Sequence, residues 1–340
     1  MKPAKHVWTG IAAAIGLLVL ILDNRTALTG SVEGIKLCLS TVIPSLFPFI
    51  VISGILNKSL IGKQFRILQP ICRMCGIPPG AASLLLLGFL GGYPVGAQSI
   101  NEACACGSLS KEDGNRMLGF CNNAGPAFIF GMLGNLYDAK LVSWILWAIH
   151  ILSALIVGFL LPNKAVRSGA KIKSDSISMP QAVEKSLRTT GVICGWVVLF
   201  RVISAFLQRW LLWLFPKEIQ IGIIGFLELS NGCCALFDLP SQGMRFIFSA
   251  FLLGIGGICV AMQTVSVTKA LDMQMYFPGK VLQSIVSLLL AGIAQNILFP
   301  AGERIRISFA VYLTLTILCG FLLFILKRQN NSRNPAPVHV

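Results

Sequence analysis

Four short stretches carry the residues able to do chemistry in this chain, and each interrupts an apolar run. The first, Gly88–Gly96, puts four glycines and a proline into nine residues. Pro94 has no amide hydrogen, and glycine favours an open backbone. Irregular backbone at membrane depth is tolerated only where protein buries it or it lines a cavity. Gly91, Gly92, Tyr93, Pro94 and Gly96 therefore read as the tip of a re-entrant hairpin. The second stretch, Asn122-Asn123-Ala124-Gly125-Pro126, sets two amides beside a Gly-Pro break, which is costly in a span unless they face a polar interior. The third, Gly225–Gly232, holds Glu228, Ser230, Asn231 and Gly232. The fourth, Gly254–Gly257, holds Gly256 and Gly257 and is followed by Gln263 and Thr264. Asn122, Asn123, Ser230, Asn231, Gln263 and Thr264 can donate hydrogen bonds, and Gly91, Gly92, Gly96 and Gly125 allow close backbone approach. Glu228 is the one acid of the third stretch; burial could protonate it, or it could bind a cation or carry a coupled proton.

The elements that must position these residues are membrane helices. Of 340 residues, 55% are hydrophobic and 12% charged, a balance outside the soluble globular range. Long apolar runs alternate with short charged loops, and they lack the two-residue alternation of a β-barrel. About eight full spans are expected: Trp8–Leu22, Gly34–Leu56, Met117–Asn135, Leu141–Leu161, Thr189–Leu207, Phe246–Val267, Val281–Phe299 and Ile307–Leu326. Trp8–Leu22 reads as an uncleaved first helix, since no small-x-small cleavage site follows it. Pro44 and Pro48 should kink or break the second span. The arm Val95–Gly107 is too short to cross, so 78–107 should return to the side it left.

Lys and Arg number 28 against 13 acids, a net charge of +15. In a soluble chain this would suggest nucleic acid. Here the excess sits in the loops 57–77, 108–116 and 163–188 and at both termini, which the positive-inside rule makes cytoplasmic, so the expected partner is the lipid bilayer and no nucleic acid. Eleven cysteines lie mostly inside apolar runs. Cys72 and Cys75 have no His nearby and Cys104–Cys106 lacks the usual zinc spacing, so neither a metal nor a cofactor is expected. His6, His150 and His339 are scattered.

Gly88-Phe89-Leu90 recurs as Gly225-Phe226-Leu227. Asn122–Pro126 corresponds to Gly254–Ile258, and Pro162 to Pro300. Each half reads as span, re-entrant element, broken span, span. Three crossings per half would invert the second, the architecture of many secondary transporters with a site at the midplane. The divisions are an N-terminal helix and loop (1–33), repeat 1 (34–162), a basic linker (163–188), repeat 2 (189–300), and a last helix with its tail (301–340).

Gly91–Gly96, Phe120–Pro126 and Gly225–Glu228 resemble the YlbJ-type sporulation integral membrane proteins of the nucleoside-recognition, or Gate, superfamily. The resemblance spans about Gly34–Pro300. It implies inverted repeats with hairpins, a role in late spore maturation, and movement of dipicolinate out of the mother cell toward the forespore. Dipicolinate is a small planar dianion. Broken helices would offer its carboxylates free amide hydrogens and a positive dipole end, and Tyr93 could stack on its ring. Other readings remain open on sequence alone: a non-transporting assembly factor for the spore cortex, or a nucleoside-type transporter. No H-E-x-x-H, Walker A or G-x-S-x-G motif occurs, so an enzyme is not expected.

Overall fold

Apolar segments with no water to bond their backbones must satisfy those groups internally, which selects helices. The computed structural model describes residues 3–60, 63, 65–162 and 178–333, and no strand occurs among the described residues. The first half comprises α1 (Pro3–Leu22), α2 (Asn24–Leu37), α3 (Ile43–Leu60), α4 (Gln69–Met74), α5 (Ala82–Leu90), α6 (Val95–Ala105), α7 (Lys111–Leu118), α8 (Pro126–Phe128) and α9 (Lys140–Leu160). The second comprises α10 (Met179–Trp210), α11 (Lys217–Leu227), α12 (Leu229–Ala235), α13 (Gln242–Ile255), α14 (Gly257–Val267), α15 (Tyr276–Leu298) and α16 (Phe309–Arg333).

Six helical stretches are long and apolar enough to cross a membrane: Asn24–Leu56, Lys140–Leu160, Met179–Trp210, Gln242–Val267, Tyr276–Leu298 and Phe309–Arg328. The chain is thus an all-helical integral membrane protein. Each of the six coincides with an expected span. The other two expected spans contain shorter apolar helices, Val7–Leu22 and Pro126–Leu136.

Two expectations need correction. The second span starts at Asn24 rather than Gly34, because Asp23 caps it by accepting the Thr26 N–H at 3.2 Å. Pro44 and Pro48 do not break it. A π-helical turn, Cys38–Val42, precedes Pro44, and Ser45 Oγ donates to the carbonyls of Thr41 (2.6 Å) and Val42 (3.3 Å) in that widened turn. The Met117–Asn135 span is broken, as its Asn-Asn-Ala-Gly-Pro stretch predicts. It stops at Leu118 and resumes at Pro126, with an unwound segment between. The basic linker lies partly outside the described residues (163–177). Its last residues are the first turns of α10, which starts at a capping box formed by Ser178 and Gln181.

The long helices pack through small residues. Gly30 and Gly34 of α2 lie against the backbone of Val202 and Val198 on α10, where an added Cβ would come within 3.0 and 2.9 Å; such close approach drives helix association in lipid. Beside this contact Arg201 pairs with Glu33.

Polar ties mark the two ends of the bundle. At one end Arg116 binds carbonyls of Cys75, Gly76, Gly158, Leu161 and Pro162, Asn115 donates to Asp272 at 2.8 Å, and Lys185 pairs with Glu102. At the other, Lys217 pairs with Asp238 at 2.9 Å, and Gln242 donates to Asp138 and Glu303, both at 2.7 Å. Helix α9 runs from the second cluster to the first. The α5–α6 hairpin therefore has its roots at one end of the bundle and the α11–α12 hairpin at the other.

Candidate functional site

The first hairpin turns because its arms touch backbone to backbone. A Cβ on Gly96 would lie 3.0 Å from the Cα of Gly88, and one on either glycine would run into the carbonyl of Cys121. Gly91 ends α5, and Gly92 takes the left-handed φ of +76° that glycine accepts without strain. Pro94 precedes α6 at its N-cap. The tip meets the unwound segment 119–125: a Cβ on Gly92 would come within 3.1 Å of the Gly125 nitrogen. Gly125 then caps α8, with Pro126 at its first position, where a missing N–H costs nothing.

The two asparagines of that segment do different work, and both are fully buried. Asn122 accepts the Ala97 N–H at 3.3 Å and donates to Thr264 Oγ1 at 2.9 Å, tying α6 to α14. Thr264 Oγ1 in turn donates to the Val260 carbonyl at 2.8 Å. Asn123 donates to the Phe120 carbonyl at 2.6 Å. Its Oδ1 accepts from Lys280 Nζ (3.2 Å) and Gln283 Nε2 (2.9 Å).

The second hairpin has a one-residue tip, Glu228, between α11 and α12. Its arms close on Gly225 and Gly232, where no Cβ would fit. The Glu228 carboxylate accepts the N–H of Ser230 at 3.0 Å and of Asn231 at 2.6 Å. It thereby caps α12 and faces the positive end of that helix. The Asn231 Nδ2 is buried and has no protein partner. Beside this hairpin the α13–α14 helix breaks at Gly256 and Gly257, both left-handed at φ +72° and +82°. A Cβ on Gly257 would lie 2.9 Å from the Phe226 carbonyl. The break frees the last carbonyls of α13, and the Leu253 carbonyl accepts Tyr93 OH at 3.0 Å.

These interruptions border one small cavity of about 30 Å³, the space of about one or two waters. Tyr93 lines it from the first hairpin, Ala124 and Gly125 from the unwound segment, Glu228, Leu229 and Ser230 from the second hairpin, and Val260 and Gln263 from α14. Thr41, Val42, Ser45 and Leu46 around the π-helical turn, with Ile193 and Val197 of α10, complete the wall.

Of the residues expected to face a ligand, Tyr93, Gly125, Glu228, Ser230 and Gln263 line this space. Asn122 does not. Its side chain bonds Ala97 and Thr264 instead, and it sits behind the wall with Thr264. Gly91, Gly92, Pro94, Gly96, Gly232, Gly256 and Gly257 shape the turns that bring the wall together. Asn123 and Asn231 lie behind it, and Pro126 starts the helix that continues it.

Sequence reasoning passed over three polar residues beside this wall. Lys280 is 1% exposed, bonded to Asn123 and to Gln283 Oε1 (2.8 Å), with its ammonium 5.3 Å from the centre of the Tyr93 ring. His150 Nε2 accepts the Ala124 N–H at 3.0 Å. A histidine in the middle of Leu141–Leu161 was the available signal. Lys280 was hidden because it directly precedes an apolar run.

No family model matches this chain, and no solved structure matches it. Among curated proteins it is similar to the sporulation integral membrane protein YlbJ of Bacillus subtilis, 22% identical over 313 residues, covering 78% of this chain and 77% of that protein. The similarity extends over most of both chains, and what this chain is similar to is a sporulation integral membrane protein of the YlbJ type.

Proposed function

We propose that the chain is a membrane transporter of a small anionic metabolite, with the substrate held where the two hairpin tips and the two interrupted spans meet. The observation that carries this reading is the cavity. A bundle built only for assembly has no need to gather four backbone interruptions, each costly in a membrane interior, around one space. Secondary transporters place their sites at such discontinuities between repeats. Hairpin roots at opposite ends of the bundle support an inverted repeat of about eight crossings, with both termini on the cytoplasmic side where the basic loops gather. The similarity to a sporulation membrane protein favours dipicolinate, carried from the mother cell toward the forespore, as the substrate. Its planar ring matches Tyr93, and the hydroxyls of Thr41, Ser45 and Ser230 and the Gln263 amide can donate to its carboxylates.

Uptake of radiolabelled dipicolinate into proteoliposomes holding the full-length protein tests the reading. Saturable uptake above that of protein-free vesicles is the expected result. Uptake equal to that of empty vesicles, from protein shown to be folded, overturns it.

A further inference from the structure

An anion site needs positive charge, and the cavity wall itself displays a carboxylate, Glu228, already engaged by two amides. Among the described residues, the buried Lys and Arg side chains are Arg116 and Lys280. The Arg116 guanidinium is spent on five backbone carbonyls at one end of the bundle. Lys280 differs. Like Arg116 it has neutral partners, but fewer of them: two hydrogen-bond acceptors, the side-chain oxygens of Asn123 and Gln283, and the face of Tyr93. No carboxylate among the described residues lies within ion-pair distance of its Nζ. A cation buried without a counter-ion is strongly disfavoured unless something else supplies the charge.

The groups that hold Lys280 also connect it to the cavity. Tyr93 is part of the wall, and Asn123 directly precedes the wall residues Ala124 and Gly125. Gly279 pins the lysine in place: a Cβ there would collide with the backbone of Gly119, so α15 is pressed against the unwound segment. One side chain separates the ammonium from the empty space, in a medium that screens charge weakly.

Resting on the transport reading above, we propose that Lys280 is the fixed positive charge of the site, and that it balances one carboxylate of a small aromatic dicarboxylate held between Tyr93 and the Ala124–Gly125 break. The dianion and the lysine then complete each other. Glu228 remains the cap of α12, and the hydroxyls and amide of the wall serve the second carboxylate. Charge selectivity resides in Lys280, and shape selectivity in Tyr93 and the glycine turns.

The test is ligand-dependent thermal stabilisation of the full-length protein in detergent. The probes are pyridine-2,6-dicarboxylate, pyridine-2-carboxylate and the uncharged pyridine-2,6-dicarboxamide. The wild-type protein is expected to prefer the dianion to the diamide by ~tenfold or more in apparent affinity, with the monoanion between. K280M should abolish that preference. Q283E provides a second route should K280M fold poorly. It is nearly isosteric and places a carboxylate beside the intact lysine, and it should abolish the preference equally. Variants that keep the wild-type order of affinities overturn the Lys280 assignment alone. A wild-type protein that binds none of the three overturns the anion-transport reading, and this assignment with it.

Discussion

The two hairpins turn by different means and with different chemistry. The tip at Gly91–Pro94 has no charged side chain of its own, and its nearest charge, the Lys280 ammonium, comes from α15 and rests on Tyr93. The tip at Glu228 supplies its own charge, and the amides of Ser230 and Asn231 hold it. One side of the cavity therefore has an amine held by neutral partners, and the other a carboxyl group held by backbone amides. The roots differ as well. Beside the first hairpin a buried arginine gathers five carbonyls, whereas the second is tied by an exposed ion pair. The first hairpin thus has a root held by a buried network and borrows its ionisable group from α15, whereas the second has a root held by an exposed ion pair and an ionisable group of its own.

The largest effect should come from breaking the root held by the buried network. Arg116→Met keeps much of the side-chain volume but leaves the Cys75, Gly158 and Pro162 carbonyls, among others, without their donor. Each buried carbonyl left without a donor costs roughly 1–3 kcal/mol. The expected outcome is a steep loss of thermal stability in detergent and little recoverable monodisperse protein. If Arg116→Met melts within a degree or two of the wild-type protein, the root is not held by this side chain.

The tip with an ionisable group of its own comes next. Glu228→Ala leaves the Ser230 and Asn231 amides unbonded inside the protein, a loss of roughly 2–4 kcal/mol. Glu228→Gln keeps one acceptor oxygen but turns an NH₂ group toward the other amide, and should cost about half as much. The ordering of wild type, Gln and Ala in thermal unfolding is the readout. Equal stability of all three would mean that α12 does not need the cap and that Glu228 is retained for the cavity alone.

The first tip was readable in the sequence because its signal is compositional: glycine and proline at that density have few other uses inside an apolar run. The break at Gly256–Gly257 was readable for the same reason. The rest turned on single residues whose neighbours mask them. Lys280 sits against a strongly apolar helix, so any window average absorbs it, and only its 1% exposure reveals it. Asn122 and Asn123 are chemically identical, and which of them faces the lysine depends on one residue of register in an unwound segment. The π-helical turn at Cys38–Val42 contributes wall residues Thr41 and Val42, yet nothing in Cys-Leu-Ser-Thr-Val marks it as a turn. Pro44 suggested a disruption there, but a widened turn accommodates the proline without ending the helix.

The smallest effect belongs to the root held by the exposed ion pair, and it sharpens the comparison most. Lys217 and Asp238 lie 2.9 Å apart, with side chains 56% and 54% exposed. Water and salt screen such a pair, and holding two side chains in register costs entropy, so exposed pairs contribute roughly 0–1 kcal/mol. Asp238→Asn should therefore leave the melting temperature almost unchanged. Its consequence should be local: the ends of α11 and α12 would separate more often, and backbone amides near Lys217 and Asp238 should exchange hydrogen faster, while those around Arg116 keep their protection. Hydrogen exchange of the wild-type and Asp238→Asn proteins, side by side in the same detergent, reads this directly. Faster exchange confined to the second root fits a hairpin free to move about its tie while the first stays clamped. Exchange unchanged at both roots would show that helix packing alone holds the second hairpin, and the contrast between the roots would then rest on Arg116 only.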